Sequence, residues 1–201
     1  MGHINKVHLV GRVLEEFSRV GKYYTTFIGI PRLSDEVDVV EIVVSDEICD
    51  VTADWSGNYI EVSGRIYSRN IQMENGKNRL RFNVFVERAS GVPDIDRISR
   101  KHTNSVALRG VVCRPPKLRE TPTGKVITDL MIVVNREGGN PDYIPCLAWN
   151  KLASIASHYE VGMECELFGR IESREYTKRL DDGSTITRTV WEVSASRIFV
   201  V

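Results

Sequence analysis

The sequence predicts an all-β chain of two tandem five-stranded barrels of the OB type, each with one short helix between its third and fourth strands. Three observations predict it: an internal repeat, a period-two alternation of apolar residues, and the order of elements within each repeat. The repeat is read directly. N-K-V-H-L-V-G-R-V from Asn5 aligns with N-S-V-A-L-R-G-V-V from Asn104, pairing Val7 with Val106, Leu9 with Leu108 and Gly11 with Gly110. Further on, D-V-V-E-I-V-V-S-D from Asp38 aligns with D-Y-I-P-C-L-A-W-N from Asp142, and I-E-V-S-G-R-I from Ile60 with C-E-L-F-G-R-I from Cys165. The offset grows only slightly along the chain, so the two copies differ by small loop changes.

Residues 1–90 therefore form one expected domain and residues 104–201 a second. The polar stretch 91–103, which contains Gly91 and Pro93, is the expected linker. In the second unit, alternation predicts strands near 104–113, 125–135, 142–149, 163–174 and 187–200. Between the third and fourth, Leu152, Ile155, Ala156 and Tyr159 follow helical spacing, and Asn150 is placed to cap that helix. The first unit repeats the order, with Ile48, Val51 and Trp55 on the matching helix after Asp46.

Composition bounds the function without choosing it. Hydrophobic residues make up 42% of the 201 and charged residues 27%, enough apolar surface for two small cores. Lys plus Arg equal Asp plus Glu at 27 each, which counts mildly against a polyanion partner, although phosphates respond to the local field and not to the sum. Cys49, Cys113, Cys146 and Cys165 show no C-x-x-C pair and sit in or beside apolar stretches, as buried core thiols do. The start Met-Gly-His-Ile-Asn lacks the basic end and apolar run of a signal peptide, and no stretch reaches the roughly 20 apolar residues of a membrane span. A cytoplasmic, nucleoid-associated protein is expected. His3, His8, His102 and His158 form no ligand motif and the carboxylates carry no catalytic companion, so neither an enzyme, a metal site nor a cofactor is expected.

From Asn104 to about Val200 the chain resembles the bacterial single-stranded DNA-binding protein family. The blocks that carry the resemblance are N-S-V-A-L-R-G-V-V, P-K-L-R-E-T-P-T-G-K, L-M-I-V-V-N-R, D-Y-I-P-C-L-A-W-N-K-L-A and G-R-I-E-S-R-E-Y, in that order. The first unit resembles it less, through N-K-V-H-L-V-G-R-V and E-V-S-G-R-I-Y-S-R, and looks like a diverged copy. The resemblance implies sequence-independent single-stranded DNA binding in replication, recombination or repair. Two-barrel members of the family supply four barrels from two chains, so a homodimer is implied as well.

Single-strand binding without base reading needs aromatic faces for unstacked bases and cations for phosphates. The positions that match the family's stacking residues are Tyr143 and Trp149 on the third strand and Tyr176 in the hairpin between the last two. Tyr143 and Trp149 share strand parity, but so does Leu147, and parity alone does not tell a platform from a core. Lys151, Arg174, Lys178, Arg170, Arg119 and Lys125 are the accompanying candidate cations, with Lys151 and Arg174 the best family matches. Two departures matter. After Arg136 only Glu137 to Pro141 stand where many relatives have a longer loop with a further aromatic, so a smaller site or weaker binding is expected. The sequence stops at Ile198-Phe199-Val200-Val201 where family members continue to an acidic tip, so any recruitment of replication or repair proteins is expected to use a folded surface.

At the positions aligned with Tyr143, Trp149 and Tyr176 the first unit has Val39, Ser45 and Ile71, and its platform is expected to be lost. Residues 1–90 carry 11 Lys plus Arg against 13 Asp plus Glu, while residues 104–201 carry 13 against 12. Tyr23, Tyr24 and Tyr67 offer the first unit another aromatic face, though aromatics on strands more often pack in a core or interface. The first unit is also similar to primosomal replication protein B. The alternative function is therefore a replication-restart interaction module with weak nucleic-acid binding, and RNA stays open as the polynucleotide.

Overall fold

A computed structural model describes residues 2–72, 76, 78–136, 138–179 and 183–201, the side chain of Lys178 excepted. The first half contributes β1 (Ile4–Val13), β2 (Ser18–Val20), β3 (Tyr23–Pro31), β4 (Val37–Val44), β5 (Tyr59–Gln72) and β6 (Asn78–Val92). The second contributes β7 (Asn104–Val112), β8 (Lys117–Glu120), β9 (Val126–Val134), β10 (Asp142–Trp149), the helix α1 (Lys151–Ala156), β11 (Glu164–Arg179) and β12 (Thr185–Val200). Hydrogen bonding runs through all twelve strands in the order β2-β3-β4-β6-β5-β1-β7-β11-β12-β10-β9-β8. Each half closes on itself through β1–β3 or β7–β9 and a parallel β4–β6 or β10–β12 pair. The chain thus forms two OB-type barrels in tandem.

Three sequence expectations need correction. A short strand, β2 or β8, precedes the second main strand of each half and lies outside the expected five. The first half has no helix among its described residues. Its segment after β4 is broken by local competition: Asp50 accepts from the backbone N–H and hydroxyl of Thr52, and Asp54 accepts from the N–H of Ser56. Such turns hold the N–H groups that a helix would need. Nor does Asn150 cap α1 through its side chain; it adopts φ 50°, and its N–H donates to the Val126 carbonyl while the chain swings from β10 into the helix.

Alternation sorts the faces. On β10, Ile144, Cys146 and Ala148 are buried in the core, and on β1 so are Val7, Leu9 and Val13. The recurring G-R-I has a steric cause. At Gly64 and Gly169 the ladder shifts register, and an added Cβ would strike the carbonyls of Phe85 and Ser194. Only glycine permits that approach. Cys49, Cys146 and Cys165 are buried free thiols and Cys113 is half-buried; burial pushes the Cys165 thiol up to about 11.

The halves join through two equivalent sets of contacts about a local twofold. β1 and β7 pair antiparallel with Val7 opposite its own repeat mate Val106. In each barrel an asparagine clamps the long strand: Asn5 bonds both the N–H and carbonyl of Ile66, and Asn104 does the same to Ile171. Across the seam, Asp38 accepts from the Ser173 N–H at 2.8 Å while Ser173 Oγ accepts from the Val39 N–H. Asp142 accepts from the Ser68 N–H at 2.6 Å while Ser68 Oγ accepts from the Tyr143 N–H. Each aspartate also has an arginine from its own barrel, Arg32 for Asp38 and Arg136 for Asp142. These reciprocal clasps fix one barrel against the other.

Asp142 is fully buried, and its Oδ2 lies 3.1 Å from Arg136 Nε without the alignment of a hydrogen bond. Burial raises its pKa above the ordinary carboxyl value, outweighing the lowering effects of Ser68 and Arg136. A raised carboxyl favours the folded state at low pH, and that contribution is lost as pH rises through the raised value. A carboxamide at this position does not titrate but still accepts from Ser68. The difference in urea midpoint between Asp142→Asn and the parent is therefore expected to shift in favour of the variant between about pH 3.5 and pH 7. A constant or falling difference contradicts this reading of Asp142.

Candidate nucleic-acid interface

Along β10, the residues of Tyr143 parity point away from the core that holds Ile144, Cys146 and Ala148. Parity is thus resolved: Tyr143, Pro145, Leu147 and Trp149 line an outer face. That face continues onto β9, where Trp149 lies opposite Ile127, Leu147 opposite Asp129, Pro145 opposite Met131 and Tyr143 opposite Val133. Leu147 is only 5% exposed despite facing outward, whereas Tyr143 is 42% exposed. Trp149 is half-buried and its indole Nε1 donates to Ser194 Oγ on β12 at 3.0 Å, which orients the ring.

Tyr176 lies on β11 opposite Arg188, and not in the connecting turn as expected, because β11 and β12 stay paired out to Arg179 and Thr185. It is 37% exposed. The arm that carries it is rigidified by cross-strand pairing, so the ring stands on a ladder. Lys178 is on the same strand, and its side chain lies outside the described residues.

The three candidate arginines are each matched to a carboxylate. Arg119 forms a two-point pair with Asp129 at 2.6 and 3.0 Å, and this bond is the main cause of its raised pKa. Arg170 binds Glu172 at 2.6 Å, and Arg174 Nε lies 3.2 Å from Glu192. Glu192 also acts on Arg119, so these side chains form one field of alternating sign beside Trp149. Lys125, in the turn between β8 and β9, and Lys151, at the start of α1, are exposed. The paired carboxylates offset the positive charge that a phosphate would meet at each arginine, which reduces the net gain per contact. Sequence reading found the arginines but missed Asp129, Glu172, Glu192 and Ser194, because only strand register reveals which residue sits opposite which.

Against this geometry, residues 103–199 match the model of the single-strand binding protein family. A single-stranded DNA-binding protein of Halalkalibacterium halodurans is 35% identical over 80 residues, covering 36% of this chain and 48% of the relative. One from Oceanobacillus iheyensis is 33% identical over 90 residues, covering 41% and 55%. The chain thus spans about half the length of these curated relatives. The crystal structure of the wild-type single-stranded DNA-binding protein from Thermus aquaticus superposes over 100% of this chain and 94% of that one, with a TM-score of 0.77 at 20% identity. That likeness is one of fold, and it takes in both barrels. Among the described residues no cluster of three or more His, Cys, Asp or Glu is arranged to hold a metal, and no helix is long and apolar enough to cross a membrane.

The two rings that differ in burial should differ in their structural cost. Tyr176→Ala, at an exposed site, is expected to change unfolding free energy by no more than about 0.5 kcal/mol. Trp149→Ala, which also strands Ser194 Oγ, is expected to cost about 1–3 kcal/mol. Urea unfolding of both variants checks the contrast, and equal costs would place Tyr176 in the packing of the arm.

Proposed function

We propose that this protein binds single-stranded DNA without reading its sequence and acts as a binding protein, not a catalyst, in replication, recombination or repair. One observation carries the reading: the family segment presents Tyr143, Trp149 and Tyr176 on or beside the outer face of a barrel whose core is filled by other residues. An unstacked base needs a flat ring held still, and Trp149 is held by Ser194 while Tyr143 is held by its backbone bond to Ser68. Lys125, Lys151, Lys178 and the paired arginines Arg119, Arg170 and Arg174 supply the backbone contacts in this proposal.

A titration of oligo-dT at two salt concentrations, with duplex of equal length as control, tests it. The best variant is Tyr143→Ala with Tyr176→Ala, since both rings are exposed and their loss spares the core. Binding of the single strand is expected to be tight and salt-sensitive, and to weaken by roughly 2–6 kcal/mol in the double variant, from about 1–3 per stack. Unchanged binding by the variant, or no preference over duplex, removes the platform. The domain division at 1–90, 91–103 and 104–201 belongs to the same proposal.

Two chains pairing to give four barrels is a further part of it. Light scattering is expected to report twice the 22.8 kDa of one chain, and a mass of one chain excludes the dimer. The replication-restart reading keeps one observation in its favour, the absence of rings at Val39, Ser45 and Ile71; recruitment of replication or repair proteins through residues 1–90 is proposed on that basis.

A further inference from the structure

The outer face of the first barrel is not the counterpart of a lost platform left blank. Strand register places Tyr23 where the second barrel has Ile127, since Tyr24 opposite Val44 corresponds to Thr128 opposite Ala148. It places Phe85 where the second barrel has Ser194, since Arg65 opposite Phe85 corresponds to Arg170 opposite Ser194. Ile127 and Ser194 are the cross-strand neighbour and the hydrogen-bond partner of Trp149. Where Ser45 replaces that tryptophan, both of its neighbours have become aromatic. The rings have moved to adjacent strands.

Without the indole across it, the face opens into a cleft of about 370 Å³ lined by Tyr23, Glu41, Arg65, Tyr67, Asn83 and Phe85, among others. Tyr23 and Phe85 meet edge to face, with centroids 5.2 Å apart and planes at 85°. The ammonium of Lys22 lies over the Tyr23 ring at 5.2 Å, so that face is reached from solvent by a side chain that moves readily onto a phosphate. Tyr67 is closed by Arg136 of the second barrel, 4.4 Å over its ring, and Tyr24 packs on the core. Two polar groups of the cleft lack hydrogen-bond partners among the described residues: Asn83 Oδ1, on a residue only 5% exposed, and Arg65 Nε. A buried acceptor and a buried donor left open in one cleft are costly to the fold unless a ligand completes them.

We infer that this cleft seats one unstacked base of a single-stranded polynucleotide, stacked on Tyr23 with its edge toward Asn83 and Arg65, while Lys22 and Arg69 take the flanking phosphates. Every nucleobase edge offers a donor beside an acceptor, so the seat tolerates any base. The inference rests on the single-strand reading above and extends it to the barrel whose aligned positions have no rings. The cleft also adjoins the platform of the second barrel: Tyr67 and Arg69 flank Ser68, whose Oγ accepts from the Tyr143 N–H, which gives a strand leaving Tyr143 a short route across the seam.

The test uses the full chain and an oligo-dT of about 30 nucleotides, sufficient for two barrels at roughly 4–16 nucleotides each. Tyr23→Ala is expected to weaken binding about 5- to 150-fold and to shorten the occluded length. Asn83→Leu is expected to weaken binding while leaving the urea midpoint equal to or above that of the parent, a split that a purely structural asparagine would not produce. Arg69→Gln, at an exposed side chain, is expected to flatten the slope of log affinity against log salt by about 0.7. If Tyr23→Ala and Arg69→Gln both keep parental affinity, salt slope and site length while Tyr143→Ala with Tyr176→Ala loses binding, the seat is wrong and the second-barrel platform stands. If the parent itself binds no single strand, both fall.

Discussion

The antiparallel pairing of β1 with β7 is the constraint on which the arrangement depends. Each is also a wall of its own barrel, so the seam is continuous with both cores and buries Val7 against Val106. An unpaired β1 would present a row of free backbone groups, a template for association with any other strand. Pairing within the chain removes that hazard and sets a local twofold. The twofold then decides what else meets: the start of β10 comes against Ser68, and the start of β4 against Ser173.

The aspartate clasps convert this placement into rigidity. Asp38 and Asp142 are both buried and both accept from backbone N–H groups of the opposite barrel. Such groups are expensive to bury and strongly directional once satisfied, so they specify one docking geometry more than they add stability. The proposed function uses that geometry. Tyr143 follows Asp142 directly, so the clasp that locks the barrels also fixes the backbone of an exposed ring.

The zero net charge of the chain is repeated locally on the candidate face. Arg119, Arg170 and Arg174 are each held by a carboxylate from a neighbouring strand or position, leaving a face of alternating sign in place of a basic stripe. In the proposed function, stacking would then carry a larger share of the affinity than in a strongly basic groove, and the two barrels place their rings differently. In the second, one indole spans the face; in the first, two smaller rings on flanking strands leave a cleft between polar walls.

Much of this was legible in the sequence. The repeat, the alternation and the G-R-I motif determined two tandem barrels, because burial on one face of a strand writes itself as a period of two, and a bulge against a carbonyl admits only glycine. The family blocks likewise singled out Tyr143, Trp149 and Tyr176. Local competition from Asp50 and Asp54 was written there too, though helical spacing concealed it. Only the tertiary structure decided which carboxylate holds which arginine, that Arg136 closes Tyr67 and not Tyr23, and that Tyr23 and Phe85 stand around the missing tryptophan. Those facts depend on residues far apart in the chain being set opposite one another by strand register, and register is a property of the closed barrel, which no local stretch of sequence carries.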